Sequence, residues 1–153
     1  MSNTFTQIFL QFVFAVERRQ CLIPREHKQE LHRYIGELVK RRSCKPLAIH
    51  CMPDHAHIFV GYKPVKSIPD LMKEIKVESN QFINQKKWTP FRFSWQGGYC
   101  AFSYSKSDIS NVINYIDNQE QHHQKSNFQC EYKSLLIEHD IEYNDKYLFE
   151  FFD

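Results

Sequence analysis

No stretch of this chain approaches the roughly 20 consecutive apolar residues that a membrane crossing requires. The longest candidate, Thr4–Val16, is interrupted by Gln7 and Gln11 and has no basic segment ahead of it, which argues against a signal peptide and makes the cytoplasm the expected location. Internal repeats, low-complexity tracts and an interdomain linker are also missing. A chain of 153 residues is therefore expected to form one domain, 1–153, able to bury about 68–70% of its unfolded surface without disulfides or a structural metal. Cys21, Cys44, Cys51, Cys100 and Cys130 are an odd, scattered set with no C-x-x-C pair, which argues against a disulfide framework and a zinc knuckle. Cys44, Cys51, His55 and His57 have the spacing of no common zinc finger.

What is present is an uneven charge. The net +2 conceals a surplus of eight positive charges through Gly98 and a surplus of six negative charges from Tyr99 onward. The first two-thirds is thus a plausible surface for a polyanion, with the acidic remainder turned away from the ligand or packed on another basic surface. Candidate nucleic-acid contacts are Arg18, Arg19, Arg41, Arg42, Lys45, Lys86, Lys87, Trp88, Arg92, Trp95 and His122. Trp88, Phe91, Arg92, Phe93 and Trp95 read equally well as base-stacking platforms and as buried loop anchors.

Residues 5–16 alternate as a strand, with Ile8, Leu10, Phe12, Phe14 and Val16 on one face and Gln7 and Gln11 among Phe5, Phe9 and Val13 on the other. Pro24 opens a helical pattern through Leu31, Tyr34, Ile35 and Leu38 that ends at the basic Lys40, Arg41 and Arg42. Strands are expected over 46–52 and 55–62, and a second helix over 67–85 behind the capping signal of Ser67 and Asp70. An aromatic, basic connector over 86–98 leads to a fourth strand over 99–105. The order β-α-β-β-α-β is that of a ferredoxin-like α+β sandwich: an antiparallel sheet with two helices on one face and the other face open. This core (1–105) is followed by an appended helix (106–125), with Ile109, Val112, Ile113 and Ile116 on its packing stripe, and by a C-terminal helix and tail (126–153).

The strand at 55–62 places Ala56, Ile58, Val60 and Tyr62 on a core face and His55, His57 and Phe59 on the opposite, open one. Two imidazoles about 7 Å apart along a strand can bind one metal ion from one side. Pro53-Asp54 sets a turn just before them, and such strand starts are common places for sites. Half-exposed sheet histidines would show the same His-x-His spacing.

Three segments in chain order, Pro53-Asp-His-Ala-His-Ile58, Trp95-Gln-Gly-Gly-Tyr-Cys-Ala-Phe-Ser-Tyr-Ser105 and Tyr115-Ile-Asp-Asn-Gln119, resemble the insertion-sequence-200-like transposases. These are enzymes with a His-hydrophobe-His motif that cut single-stranded DNA with one tyrosine. The resemblance implies that Tyr115 is the nucleophile, that His55, His57 and Gln119 bind Mg²⁺ or Mn²⁺, and that the substrate is single-stranded DNA with hairpin ends, cut through a 5′-phosphotyrosine. It also favours a homodimer in which Tyr115 of one subunit meets His55 and His57 of the other, although a same-chain arrangement occurs. His122 and His123, about 100° apart on a helix, are not expected to face one ion together. Cys100 and Tyr104 stand where smaller residues are common in the family. Two other readings share these residues: an endonuclease with a host role in processing repeated palindromes, and a catalytically silent single-strand-binding module. The K/R-G-F/Y-G/A-F-V motif of RNA-recognition sheets, which would favour the last, does not occur.

Overall fold

A computed structural model describes residues 3–152; residues 1, 2 and 153, the ends of the expected domain, lie outside it. Four strands, β1 (Phe9–Ala15), β2 (Lys45–Cys51), β3 (His55–Gly61) and β4 (Cys100–Tyr104), form one antiparallel sheet in the order β2-β3-β1-β4. Helices α1 (Lys28–Arg41) and α2 (Ile68–Lys86) interleave with them, giving the expected ferredoxin-like sandwich. The registers Phe12↔Ile58 and Val13↔His57 between β1 and β3 set the two faces. Leu10, Phe12, Phe14 and Val16 join Ala56, Ile58 and Val60 beneath α1 and α2 in the main core.

Local sequence explains the two covering helices. The first turn after Pro24 is a 3-10 turn, Arg25–His27, after which α1 buries Leu31, Ile35, Leu38 and Val39 along one stripe. Ser67 Oγ accepts from the Asp70 backbone N–H at 3.2 Å, satisfying an otherwise orphaned donor at the start of α2. That helix ends where Lys87 takes a left-handed conformation, φ 56°. In the connector, Asn84 holds both backbone groups of Phe93, its Oδ1 accepting at 2.7 Å and its Nδ2 donating at 2.9 Å. Phe93 and Trp95 are consequently buried, with Trp95 Nε1 donating to Ser79 Oγ at 2.9 Å. These two aromatics are loop anchors. Cys44 and Cys51 belong to the same core, where burial pushes the Cys51 thiol up to about 12.

The second sheet face is open with respect to α1 and α2 only. Three further helices, α3 (Ile109–Asp117), α4 (Gln119–His122) and α5 (Phe128–Glu138), fold back onto it within the same chain. Val112 and Ile116 of α3 pack on Ala48 and Phe59. Phe128 of α5 stacks on His55, ring centroids 3.8 Å apart. His55 and His57 are therefore fully buried rather than outward-facing. The apolar stripe of α3 drives this closure, since Phe59 and Ala48 offer it the nearest uncovered apolar surface. The two large residues on β4 are accommodated as well: Tyr104 Oη accepts from Gln11 Nε2 at 2.7 Å, and Cys100 Sγ lies 2.8 Å from Tyr132 Oη of α5.

A second histidine pair lies at the junction of α1 and β2. His32 Nε2 accepts from the Cys51 backbone N–H at 2.7 Å, and its ring lies against His50, centroids 5.3 Å apart. Burial, helped by His50 and by the positive charge of Lys28, holds His32 down at about 4. Burial and Lys28 do the same to His50, with Glu120 opposing. Both are neutral in the fold and protonate earlier when unfolded, so their contribution to stability is complete above about pH 6.5 and drains as pH falls towards 4. The urea midpoint should fall between pH 6.5 and 4.5, and His50→Gln should flatten that fall; an equal fall in the variant would remove His50 from the account.

Candidate active site

The site is built from one strand and three helices. β3 carries His55 and His57, both on the face turned towards α3–α5, because the strand period of two places alternate residues together. Each histidine has its Nδ1 fixed by an oxygen: His55 by Asp54 Oδ1 at 2.7 Å and His57 by Gln11 Oε1 at 2.7 Å. Where Nδ1–H donates and the ring is neutral, Nε2 carries the lone pair, and both Nε2 atoms turn to the same place. Gln11 is held in turn by Tyr104, so the polar residue of β1 sets the orientation of the histidine across from it.

Tyr115 sits on the last turns of α3, with its ring edge-on to His57 at 6.0 Å between centroids. The helix breaks at Asn118, φ −99° and ψ 22°, and resumes as α4. Gln119 nevertheless stays beneath Tyr115, its Nε2 reaching the Tyr115 carbonyl at 3.4 Å. The four residues expected from the sequence, His55, His57, Tyr115 and Gln119, thus come together within one chain. Within this single chain the cluster is complete without a second copy. α4 is clamped to the core by Glu120, which pairs with Arg25 and with Lys28 at 3.0 Å, and these contacts secure the return of the tyrosine helix.

At the centre lies Glu131 of α5, whose side chain is 1% exposed. Its Oε1 is 3.3 Å from Nε2 of His55, 3.3 Å from Nε2 of His57 and 2.9 Å from Nε2 of His123. Its Oε2 accepts from the Tyr115 hydroxyl and from Gln119 Nε2 at 2.9 Å. His122 Nε2 lies 3.7 Å from that same oxygen. Contrary to expectation, the neighbouring His122 and His123 both point inward. His123 is past the end of the short α4, and the two rings approach different oxygens of one carboxylate.

Burial alone would raise the Glu131 carboxyl, but the adjacent His57, the hydrogen bonds from His123 and His57 and the nearby His55 hold it well below the usual carboxylate range. Burial opposes charge on His55, yet its bond to Asp54 and the closeness of the Glu131 carboxylate bring it up to about 9, while burial keeps His57 below its ordinary value. Burial and the negative charge of Glu131 push the Tyr115 hydroxyl up. Two buried atoms in the cluster are left without a hydrogen bond, His55 Nε2 and Gln119 Oε1; the first is near Glu131 but off the line of a bond. His55, His57 and Glu131 offer ligand atoms all within 4.8 Å of one another. Nitrogen and oxygen donors with unused lone pairs, their histidine tautomers already set, fit a divalent cation.

Beside Tyr115 a cavity of about 520 Å³ is lined by Tyr104, Asn111, His122, Ser134 and His139 among others. The proposed DNA contacts are spread elsewhere. Arg42 is committed to Glu74 at 3.0 Å and to Glu78. Lys86 pairs with Glu30 at 3.1 Å, and Arg19 donates to the Phe152 carbonyl at 2.7 Å. Arg18, Arg41, Lys45, Lys87 and Arg92 are exposed, Trp88 is half-buried and Trp95 is buried. Trp88 stacks on His27 at 4.5 Å.

A model of the family described as transposase, IS200-like, matches residues 4–119. The chain belongs to the IS200-like transposase family. Membership carries a transposase role and with it action on DNA. Among solved structures, one from Deinococcus radiodurans, of a protein assigned as a transposase, has a TM-score of 0.58 at 21% identity, covering 78% of this chain and 95% of that one. A REP-associated tyrosine transposase bound to a REP hairpin has a TM-score of 0.58 at 15% identity, covering 80% and 73%. These likenesses bear on the fold. No curated protein matches the chain. Among the described residues of this transposase, no helix is long and apolar enough to cross a membrane.

Glu131 escaped the sequence reading. The signal available was an acidic residue on the otherwise apolar stripe of Phe128, Tyr132 and Leu135, one turn apart on a helix that had to bury that stripe. Gln11 was legible only as a polar interruption of a strand. Replacing it by leucine removes the acceptor that orients His57, so Gln11→Leu should lower Mn²⁺ affinity by about 10–100-fold, measured by calorimetric titration; unchanged affinity would deny Gln11 that role.

Proposed function

We propose that this transposase cleaves and rejoins single-stranded DNA at hairpin-bearing ends, with Tyr115 as nucleophile and a 5′-phosphotyrosine as the covalent intermediate. The observation that carries this reading is the convergence of the Tyr115 hydroxyl, both histidine Nε2 atoms and Gln119 on one buried point inside a single chain. Strand transfer needs an in-line oxygen nucleophile, positive charge at the phosphate and a tether that conserves the phosphoester for rejoining. Tyr115 Oη forms a bond to phosphorus as the bond from phosphorus to the 3′ oxygen breaks; the proton given up by the tyrosine is, net, taken up by that oxygen, which leaves as a 3′-hydroxyl. Another strand's 3′-hydroxyl reverses the exchange without external energy.

His55 and His57, with Gln119 Oε1, would hold Mg²⁺ or Mn²⁺ here, and such a cation supplies the charge that polarises the phosphate. The raised hydroxyl of Tyr115 keeps its proton in the resting protein, which suits an enzyme that must not attack before its substrate is seated. The cavity beside Tyr115 is of a size that small ligands occupy and gives a strand a route to the hydroxyl. Exposed Arg18, Arg41, Lys45, Lys87 and Arg92 are available to phosphates, with Trp88 and the exposed Phe91 as stacking surfaces. The fold likeness to a protein bound to a REP hairpin supports a hairpin substrate and motivates a second reading, in which the same chemistry processes repeated palindromes. Copies of the gene flanked by short hairpin-forming ends would favour the mobile-element reading. Excision takes two cuts, and each chain holds one such nucleophile, so two copies act as a homodimer.

Incubated with hairpin-bearing single-stranded DNA and Mn²⁺, the protein should form a covalent adduct visible as a shifted band under denaturing conditions. Tyr115→Phe should bind DNA and form none. An adduct that persists in this variant would move the nucleophile elsewhere. The same DNA should outcompete perfect duplex at equal salt, with affinity falling steeply as salt rises; a preference for duplex would contradict the substrate assignment.

A further inference from the structure

We infer that Glu131 is the anionic ligand of the metal centre, so that α5, which lies beyond the family-matched residues 4–119, supplies part of the active site. This rests on the metal-assisted reading above and extends it to a residue outside the His-hydrophobe-His and tyrosine motifs.

The first ground is charge. A carboxylate that is 1% exposed is strongly destabilising unless a cation or several donors compensate it. Among the described residues no lysine or arginine pairs with Glu131, and Arg25 and Lys28 are spent on Glu120. What surrounds Glu131 instead is imidazole, amide and phenol.

Spacing is the second ground. Ligand atoms at right angles about a small dication, each about 2.1 Å from it, lie about 3 Å apart. Glu131 Oε1 is 3.3 Å from both His55 Nε2 and His57 Nε2, with all three ligand atoms inside 4.8 Å. Hydrogen bonding accounts for the His57 contact but not for that of His55, whose buried Nε2 comes equally near and has no partner in line.

The third is the division of labour between the two oxygens. Oε1 faces the histidines, while Oε2 takes the Tyr115 hydroxyl and Gln119 Nε2. A carboxylate used in this way binds the cation with one oxygen and positions the nucleophile beside it with the other. Gln119, donating its amide N–H to Glu131, orients the carboxylate as well as offering its own unpartnered Oε1. Glu131 is itself placed by Phe128, stacked on His55, and by Tyr132, bound to Cys100 of β4.

The test is Mn²⁺ binding to the full chain without DNA, followed by calorimetry and by the free-ion paramagnetic resonance signal, for the native protein, Glu131→Gln, Glu131→Asp and His57→Ala. Thermal melts without metal confirm that each variant is folded. Glu131→Gln keeps the shape and removes the charge, and should weaken Mn²⁺ binding by about 10–100-fold. Glu131→Asp should fall between it and the native protein, and His57→Ala should lose binding. Folded Glu131→Gln that binds Mn²⁺ within twofold of the native protein would overturn the inference and leave Glu131 as a structural acceptor. Covalent adduct formation by the native protein, assayed in parallel, separates the two claims. Adduct formation together with unaltered Mn²⁺ binding in Glu131→Gln sinks this inference alone, whereas weakened binding with no adduct on any single strand supports the ligand and sinks the DNA-cleaving reading.

Discussion

A carboxylate removed from water has to be answered by whatever surrounds it, and the second face of this sheet is arranged around that demand at Glu131. His55, His57 and His123 approach one oxygen, and Tyr115 and Gln119 bond the other. Two come from β3 and three from the segment 115–123, so the carboxylate ties the strand, the tyrosine helix and α5 into one unit. Were α5 to leave, Phe128 would uncover His55, and the tyrosine would lose its hydroxyl partner at the same moment. Folding of the C-terminal helices and assembly of the site are therefore one event.

The rest of the architecture supplies rigidity to that unit. Gln11 stands on β1, one of the two inner strands, and it links Tyr104 on β4 to His57 on β3. This chain of side chains crosses three neighbouring strands and holds the imidazole from behind. On the far side, Glu120 joins α4 to Arg25 and Lys28 at the start of α1. The acidic surplus of the C-terminal part thus packs partly on the basic N-terminal part and partly inside the histidine cluster. Exposed basic groups such as Arg18, Arg41 and Lys45 are left for other anions.

Burial changes what the histidines can do. On an open sheet, His55 and His57 would be weak, solvated ligands; beneath α3–α5 their ring nitrogens face a space from which water is largely excluded. Electrostatic interactions gain strength there, and a cation is favoured because it relieves atoms that have no other partner. The cavity beside Tyr115 reaches this half-buried member of the cluster.

Much of this was legible beforehand. Alternation in 5–16 and 55–62 set the strands and their faces, since period two leaves no choice about which residues point together, and Pro24, Ser67 and Asp70 marked helix starts. The resemblance of three segments to the transposase family picked out His55, His57, Tyr115 and Gln119. Strand ends were off by one to four residues, Phe5 being 93% exposed and outside β1, because alternation persists where no neighbouring strand is left to pair with. What the sequence could not decide is which elements cover which face. Glu131, His122 and His123 are remote from β3 along the chain, and helical geometry alone predicted that the two histidines diverge. Their convergence came from the break at Asn118, from the return of α3 onto Phe59 and Ala48 within one chain, and from the burial of a single carboxylate. Such contacts depend on the free energy of closing a whole layer, which no local pattern encodes.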